Sequence, residues 1–186
     1  MLIEFSNWKS RMYKWAEINS GKCKIIKHIS VGSIGDSFTL EITIKSNLAP
    51  IKVMQNGGGT NFEVGLSYLM FEQNDKSVFN FKLSLYRKDF FDKLFGKNKP
   101  KTGNKDFDKV FGIYTDDKKT ASAIFKDTKI SNLFLNNPFL VLNIQKNKSL
   151  LTFKSMKRKL YKTEELQELL NNFRYISELI TEIKHN

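Results

Sequence analysis

Three runs between residues 37 and 85 alternate apolar and polar side chains, and a period of two is what a β-strand with one buried face requires. In the first, Phe38, Leu40, Ile42 and Ile44 interleave with Ser37, Thr39, Glu41 and Thr43. In the second, Phe62, Val64, Leu66, Tyr68 and Met70 fall on one side, with Glu63, Gly65 and Ser67 opposite. In the third, Phe79, Phe81, Leu83 and Leu85 point inward while Asn80, Lys82 and Ser84 face water. The polar tetrapeptide Gln73-Asn74-Asp75-Lys76 reads as the turn between the last two. Strands of a parallel sheet are buried on both faces and show unbroken apolar runs, so this patterning specifies an antiparallel meander. Residues 22–29 and 51–54 read as further strands, the second entering a turn at Asn56-Gly57-Gly58-Gly59.

Helical periodicity takes up most of the remaining apolar residues. Phe5, Trp8, Met12 and Trp15 recur in steps of three and four, with Lys9, Arg11 and Lys14 on other faces; Asn19-Ser20-Gly21 then supplies a stop. Residues 3–18 are therefore expected to form an amphipathic helix packed on a core. Residues 107–114 read as a strand or extended segment. Asp116 or Asp117 can cap a helix whose inner face is Ala121, Ile124 and Phe125, followed by turns carrying Ile130, Leu133 and Phe134. A hairpin spans 139–144 and 150–153. Thr163 then caps a long helix with Leu166, Leu169, Leu170, Phe173, Ile176, Ile180 and Ile183 in one stripe. No repeat, Pro-rich linker or low-complexity tract divides the 186 residues, a length that suits one domain. The expected architecture is a single α+β domain over residues 1–186: an antiparallel β-meander sheet with the N-terminal amphipathic helix, a central helix and the long C-terminal helix packed on one face.

The net charge of +12 raises the question of a polyanionic partner. Lysine supplies 27 of the 31 positive charges and arginine only four, whereas bidentate reading of phosphate or guanine is arginine chemistry. Placement is more informative than the total. Lys146, Lys148, Lys154, Lys157, Arg158, Lys159 and Lys162 form a run with no acidic residue among them, a candidate anion-binding patch. Lys97, Lys99, Lys101 and Lys105 form a second basic stretch. Aromatic residues are not interleaved with these lysines as single-strand binders require, which favours the reading of a solvated surface.

Catalytic groups are scarce. With one cysteine, Cys23, and two histidines, His28 and His185, no zinc site of Cys and His alone can assemble. Cys23 and His28 are five residues apart, which points them to opposite faces of a regular strand. Gly57-Gly58-Gly59-Thr60 lacks the lysine of a P-loop, and Phe62 stands where a dinucleotide fingerprint needs its third glycine. Asp106 and Asp108 flank Phe107 at strand spacing and could together hold a divalent metal, but capping explains them as well and is preferred. No cofactor, metal site or catalytic residue is assigned. The single cysteine suits a reducing compartment, the N-terminus lacks a signal pattern, and no stretch reaches about 18 apolar residues. A cytoplasmic location is expected, with the inner membrane surface as a peripheral alternative.

The segment Thr102-Gly103-Asn104-Lys105-Asp106-Phe107-Asp108-Lys109-Val110-Phe111, followed by a helix, two strands and a closing helix, resembles a pattern in an uncharacterised bacterial domain family: T-G-x-x-x-F-D-x-x-F. The resemblance spans residues 60–186 and implies a bacterial origin and an α+β fold, with no activity to transfer. The functional expectation is a non-enzymatic binding or interaction domain with a protein partner. The alternative is polyanion binding, to nucleic acid or an anionic membrane surface, through the lysine-rich loops.

Overall fold

Strand β2 (Ser37–Ile44) realises its alternation directly: Leu40, Ile42 and Ile44 are buried, Glu41 is half-buried and Thr43 is exposed. The computed structural model describes residues 2–28, 37–58, 67–89, 100–137, 139–157 and 162–185. The fold is α+β, with antiparallel strands and, among the described residues, five α-helices ending in a long C-terminal one. The chain packs as two compact units, Met1–Gln73 with Lys154–Leu170, and Asn74–Phe153 with Asn171–Asn186.

In unit 1, helix α1 (Leu2–Ile18) is followed by β1 (Gly21–His28), β2, β3 (Ile51–Gly58) and β4 (Ser67–Asn74), with neighbouring strands paired antiparallel in chain order. Strand β8 (Leu150–Lys157), which gives residues to both units, follows β4 in the hydrogen-bonded order. The register stacks the inner face into rows, Ile44–Ile51–Gln73, Ile42–Val53–Phe71 and Leu40–Gln55–Leu69. Met12, Trp15 and Ala16 of α1 are buried with them, as are Leu166 and Leu170 of the closing helix α5 (Thr163–His185). Trp15 donates its indole N–H to Gln167 Oε1 at 3.0 Å, and Asn19 Nδ2 donates to the same oxygen at 3.0 Å. A buried indole N–H thus finds its acceptor, as an aromatic with a polar handle must. The side chains of Phe5 and Trp8 lie outside the described residues.

Two details of unit 1 differ from the sequence pattern. Asn56, Gly57 and Gly58 continue β3, opposite Thr39, Phe38 and Ser37, because ladder bonds to β2 satisfy the backbone that a turn would expose. Strand β4 buries Leu69, Phe71 and Gln73, the phase opposite to that of Phe62, Val64 and Leu66, which lie outside the described residues. Pairing with Val53 and Gln55 fixes that phase, since a shift of one residue would turn Phe71 to the outer face.

In unit 2, β5 (Leu83–Arg87) lies between β6 (Phe111–Thr115) and β7 (Val141–Gln145), with β8 beyond β7. β5 therefore does not form the expected hairpin with β4. Asp75 instead closes a turn, its Oδ1 accepting from Ser77 N–H at 2.9 Å and Val78 N–H at 3.3 Å. Helices α2 (Lys105–Val110), α3 (Lys118–Lys126) and α4 (Thr128–Asn136) begin at side-chain caps: Asn104 accepts from Phe107 N–H, Asp117 from Thr120 N–H and Asp127 from Ile130 N–H. The cap at Asn104 is why residues 105–110 are helical where the alternation around Phe107 suggested a strand. Seven fully buried phenylalanines occur among the largest core side chains, and five of them, Phe107, Phe125, Phe134, Phe153 and Phe173, belong to a continuous aromatic chain here.

On the outer side of this sheet the Tyr86 ring lies over Gly112, its cross-strand partner, where a Cβ would collide with the ring. An aromatic ring laid across an edge glycine shields backbone that would otherwise be bare. Gly112→Ala is expected to displace the ring and cost about 1–3 kcal/mol by overpacking. Urea denaturation checks this, and an unchanged midpoint would contradict it.

Candidate functional site

The outer face of the unit 2 sheet presents its most exposed aromatic and aliphatic side chains. Ser84 of β5 pairs with Tyr114 of β6 on one side and with Asn143 of β7 on the other, so the three form one row across the sheet. Tyr86 and Val141 lie two residues along on the same face of their strands. Tyr114 is 59% exposed and Val141 38%, and Phe139, just before β7, is 68% exposed. Lys82 Nζ stands 4.8 Å from the centroid of the Tyr114 ring, a cation–π contact that holds the phenol against the sheet. The Lys82 backbone N–H donates to Asp116 Oδ1 at 2.6 Å, and Lys146 Nζ meets Asp116 Oδ2 at 3.3 Å. The Lys82 hydrogen bond, reinforced by Lys146 and opposed by partial burial, holds the Asp116 carboxyl below the usual carboxylate range. The result is a patch of ring faces and small polar groups bordered by lysines, suited to contact rather than to proton transfer.

The residues of the lysine run are divided between the two units. Lys146 and Lys148 are exposed on the 3₁₀ turn Lys146–Lys148 of unit 2, and Lys146 is paired with Asp116, an acidic neighbour that the local sequence does not show. Lys154 is half-buried on β8, Lys157 ends that strand, and Lys162 precedes α5; all three belong to unit 1. Arg158 and Lys159 lie outside the described residues. In the second basic stretch Lys101 and Lys105 are exposed, while Lys97 and Lys99 lie outside the description.

The aspartates resolve into structural groups. Asp106 is exposed in the first turn of α2, whereas Asp108 Oδ1 accepts from the Thr102 N–H at 3.0 Å and hydroxyl at 2.9 Å. Asp108 Oδ2 also accepts from the Gly103 N–H at 3.3 Å, and Gly103 has φ +87°, a conformation that glycine adopts without strain. Phe107 and Phe111 stack with centroids 5.0 Å apart. Every specified position of T-G-x-x-x-F-D-x-x-F thus has a folding role in this chain, as a cap, a turn or a core ring. Asp127 Oδ2 accepts from the Tyr175 hydroxyl at 2.7 Å, and that bond, with burial, raises the phenol's pKa. Among the described residues no three His, Cys, Asp or Glu side chains gather to hold a metal ion. Among them, too, no helix is long and apolar enough to cross a membrane.

One buried polar side chain is not accounted for by folding. Gln55 is 1% exposed, and neither its Oε1 nor its Nε2 has a hydrogen-bond partner. Gln73, equally buried two rows away, donates to the Ala49 carbonyl at 2.8 Å and to Ser46 Oγ at 3.4 Å. Leaving an amide unpaired costs about 1–3 kcal/mol by the measure of protein mutations. The sequence signal was available: Ile51, Val53 and Gln55 share one phase of β3, and only the third is polar. Tyr114 was legible in the same way, falling out of phase with Phe111 and Ile113. Comparison with family models, with curated proteins and with solved structures gives no match.

Proposed function

We propose that the chain is a non-enzymatic interaction module that docks an acidic polypeptide with apolar anchors on the outer sheet face of unit 2. The observation that supports this reading is the row Tyr114–Ser84–Asn143 with Tyr86 and Val141 beside it, in which Tyr114 and Val141 are exposed and Ser84, Tyr86 and Asn143 half-buried, bordered by Lys82 and Lys146. Tyrosine gives a large contact area at low entropic cost and is enriched where proteins bind one another. The partner's acidity follows from the bordering lysines and the +12 charge, which would repel a basic surface.

The test uses a fluorescein-labelled peptide alternating Asp/Glu with Leu/Phe, and a 20-nucleotide single-stranded DNA as a pure polyanion. Anisotropy is read for the wild type and for Tyr114→Ala/Val141→Ser, both side chains being exposed enough for the fold to survive. Peptide affinity is expected to fall at least tenfold in the variant and to weaken less steeply between low and moderate salt than DNA binding does. Equal peptide binding by both proteins would defeat the reading. DNA bound more tightly than peptide, with a steep salt dependence and no effect of the variant, would replace it with polyanion binding.

A further inference from the structure

The second inference lies in unit 1 and is independent of the outer-face reading. It starts from Gln55, the one described side chain whose buried amide is unpaired at both atoms. Its cross-strand neighbours on the inner face are Leu40 and Leu69, each almost fully buried, and Val53 precedes it on β3. None of these side chains can answer an amide. The contrast with Gln73 on the same face is direct, because there the backbone turn at Ala49 and the hydroxyl of Ser46 supply acceptors. Buried polar groups elsewhere in the description are partnered as well: Thr102 with Asp108, Thr120 with Asp117 and Thr152 with the Asn143 carbonyl.

A primary amide enclosed by Leu40, Val53 and Leu69 has both a donor and an acceptor to offer, and none of these side chains meets either. Ligand sites of this kind are mostly apolar, with a few polar groups that fix orientation.

The geometry points to Gln55 as the polar anchor of a small-ligand site on the inner face of the unit 1 sheet, for a predominantly apolar molecule that ends in a carboxamide. A carboxamide presents a donor beside an acceptor and pairs with the Gln55 amide through two antiparallel hydrogen bonds. A carboxylate of the same size carries no donor and would bring an unpaired charge into an apolar enclosure. A ketone offers an acceptor only and leaves Gln55 Oε1 unpaired.

The probe is hexanamide, titrated into the full-length ¹⁵N-labelled chain at neutral pH while the Gln55 side-chain NH₂ resonances are followed. Hexanoate and 2-heptanone are the comparators. Hexanamide is expected to shift the Gln55 resonances saturably and to bind at least tenfold more tightly than either comparator. In Gln55→Leu the tenfold preference should disappear while residual affinity for the alkyl chain remains. Gln55→Met, closer in length to glutamine, serves should the leucine variant fold poorly, and it should lose the preference likewise. Resonances indifferent to hexanamide, equal affinity for amide and ketone in the wild type, or a preference that survives both substitutions would each overturn the assignment. So would a cross-peak from the Gln55 amide to a long-lived water that hexanamide does not displace.

Discussion

Phe134→Ala is expected to destabilise the protein by about 3–5 kcal/mol, a large part of the 5–15 kcal/mol that typically holds a domain together. The ring is fully buried and meets three others, Phe111 at 6.3 Å, Phe125 at 6.1 Å and Phe153 at 6.1 Å between centroids, each edge to face. Truncation removes the transfer energy of the ring and leaves a hole bounded by aromatic rings and helix backbone, neither of which can collapse to fill it. It also removes three oriented ring contacts, each worth about 0.5–1.5 kcal/mol beyond the area buried. Phe134→Leu keeps most of the volume and should cost roughly half as much. Urea unfolding followed by far-ultraviolet circular dichroism distinguishes the two variants. Equal midpoints for Phe134→Ala and the wild type would show that the aromatic chain does not carry the stability assigned to it.

A second large effect is expected from Asp117, which accepts three hydrogen bonds from two residues. Its Oδ1 accepts from Thr120 N–H at 3.0 Å, and its Oδ2 from the Thr120 hydroxyl at 2.7 Å and from Lys184 Nζ at 2.9 Å. Burial pushes the carboxyl upward, but the hydrogen bonds from Lys184 and Thr120 and the lysine charge outweigh it and bring the pKa from 3.8 down to about 2. Because the folded value is depressed, the stabilisation is present above the unfolded value near 3.8 and is lost as pH falls through about 2. The shift corresponds to about 2 kcal/mol. Asp117→Asn should therefore lose about 2 kcal/mol at neutral pH and show a shallower fall in stability between pH 4 and pH 2 than the wild type. Denaturant midpoints across that range decide it; parallel curves for the two proteins would rule out Asp117 as a source of the acid sensitivity.

The readable part of this fold was the part governed by local periodicity. The β2 alternation, the Asp117 cap and the stripe of α5 appear as the residue pattern requires, and Phe79, Phe81, Leu83 and Leu85 are all buried as expected, although the strand expected to carry them begins only at Leu83. What escaped was decided by pairing between distant segments. The phase of β4 depends on Val53 and Gln55, and β5 takes β6 and β7 rather than β4, choices that no window of a dozen residues contains. The helix at 105–110 was hidden for a different reason: six residues with one buried ring cannot show a helical period, and only Asn104, three residues before Phe107, marks its start. The candidate surfaces were legible only as exceptions to a strand's phase. Tyr114 is an aromatic on the polar side of β6, and Gln55 is an amide on the apolar side of β3.

Trp15 and Gln167 are joined by a hydrogen bond across 152 residues of chain, and both units are completed only by segments from the last fifth of the sequence. A ribosome adding about 5–20 residues per second needs about 8–30 s to cover that interval. For the later part of it, α1 and the strands β1–β4 have been made while the turns of α5 that carry Leu166 and Leu170 have not. The order of synthesis therefore leaves the apolar face that Leu166 and Leu170 complete uncovered for seconds on every newly made chain.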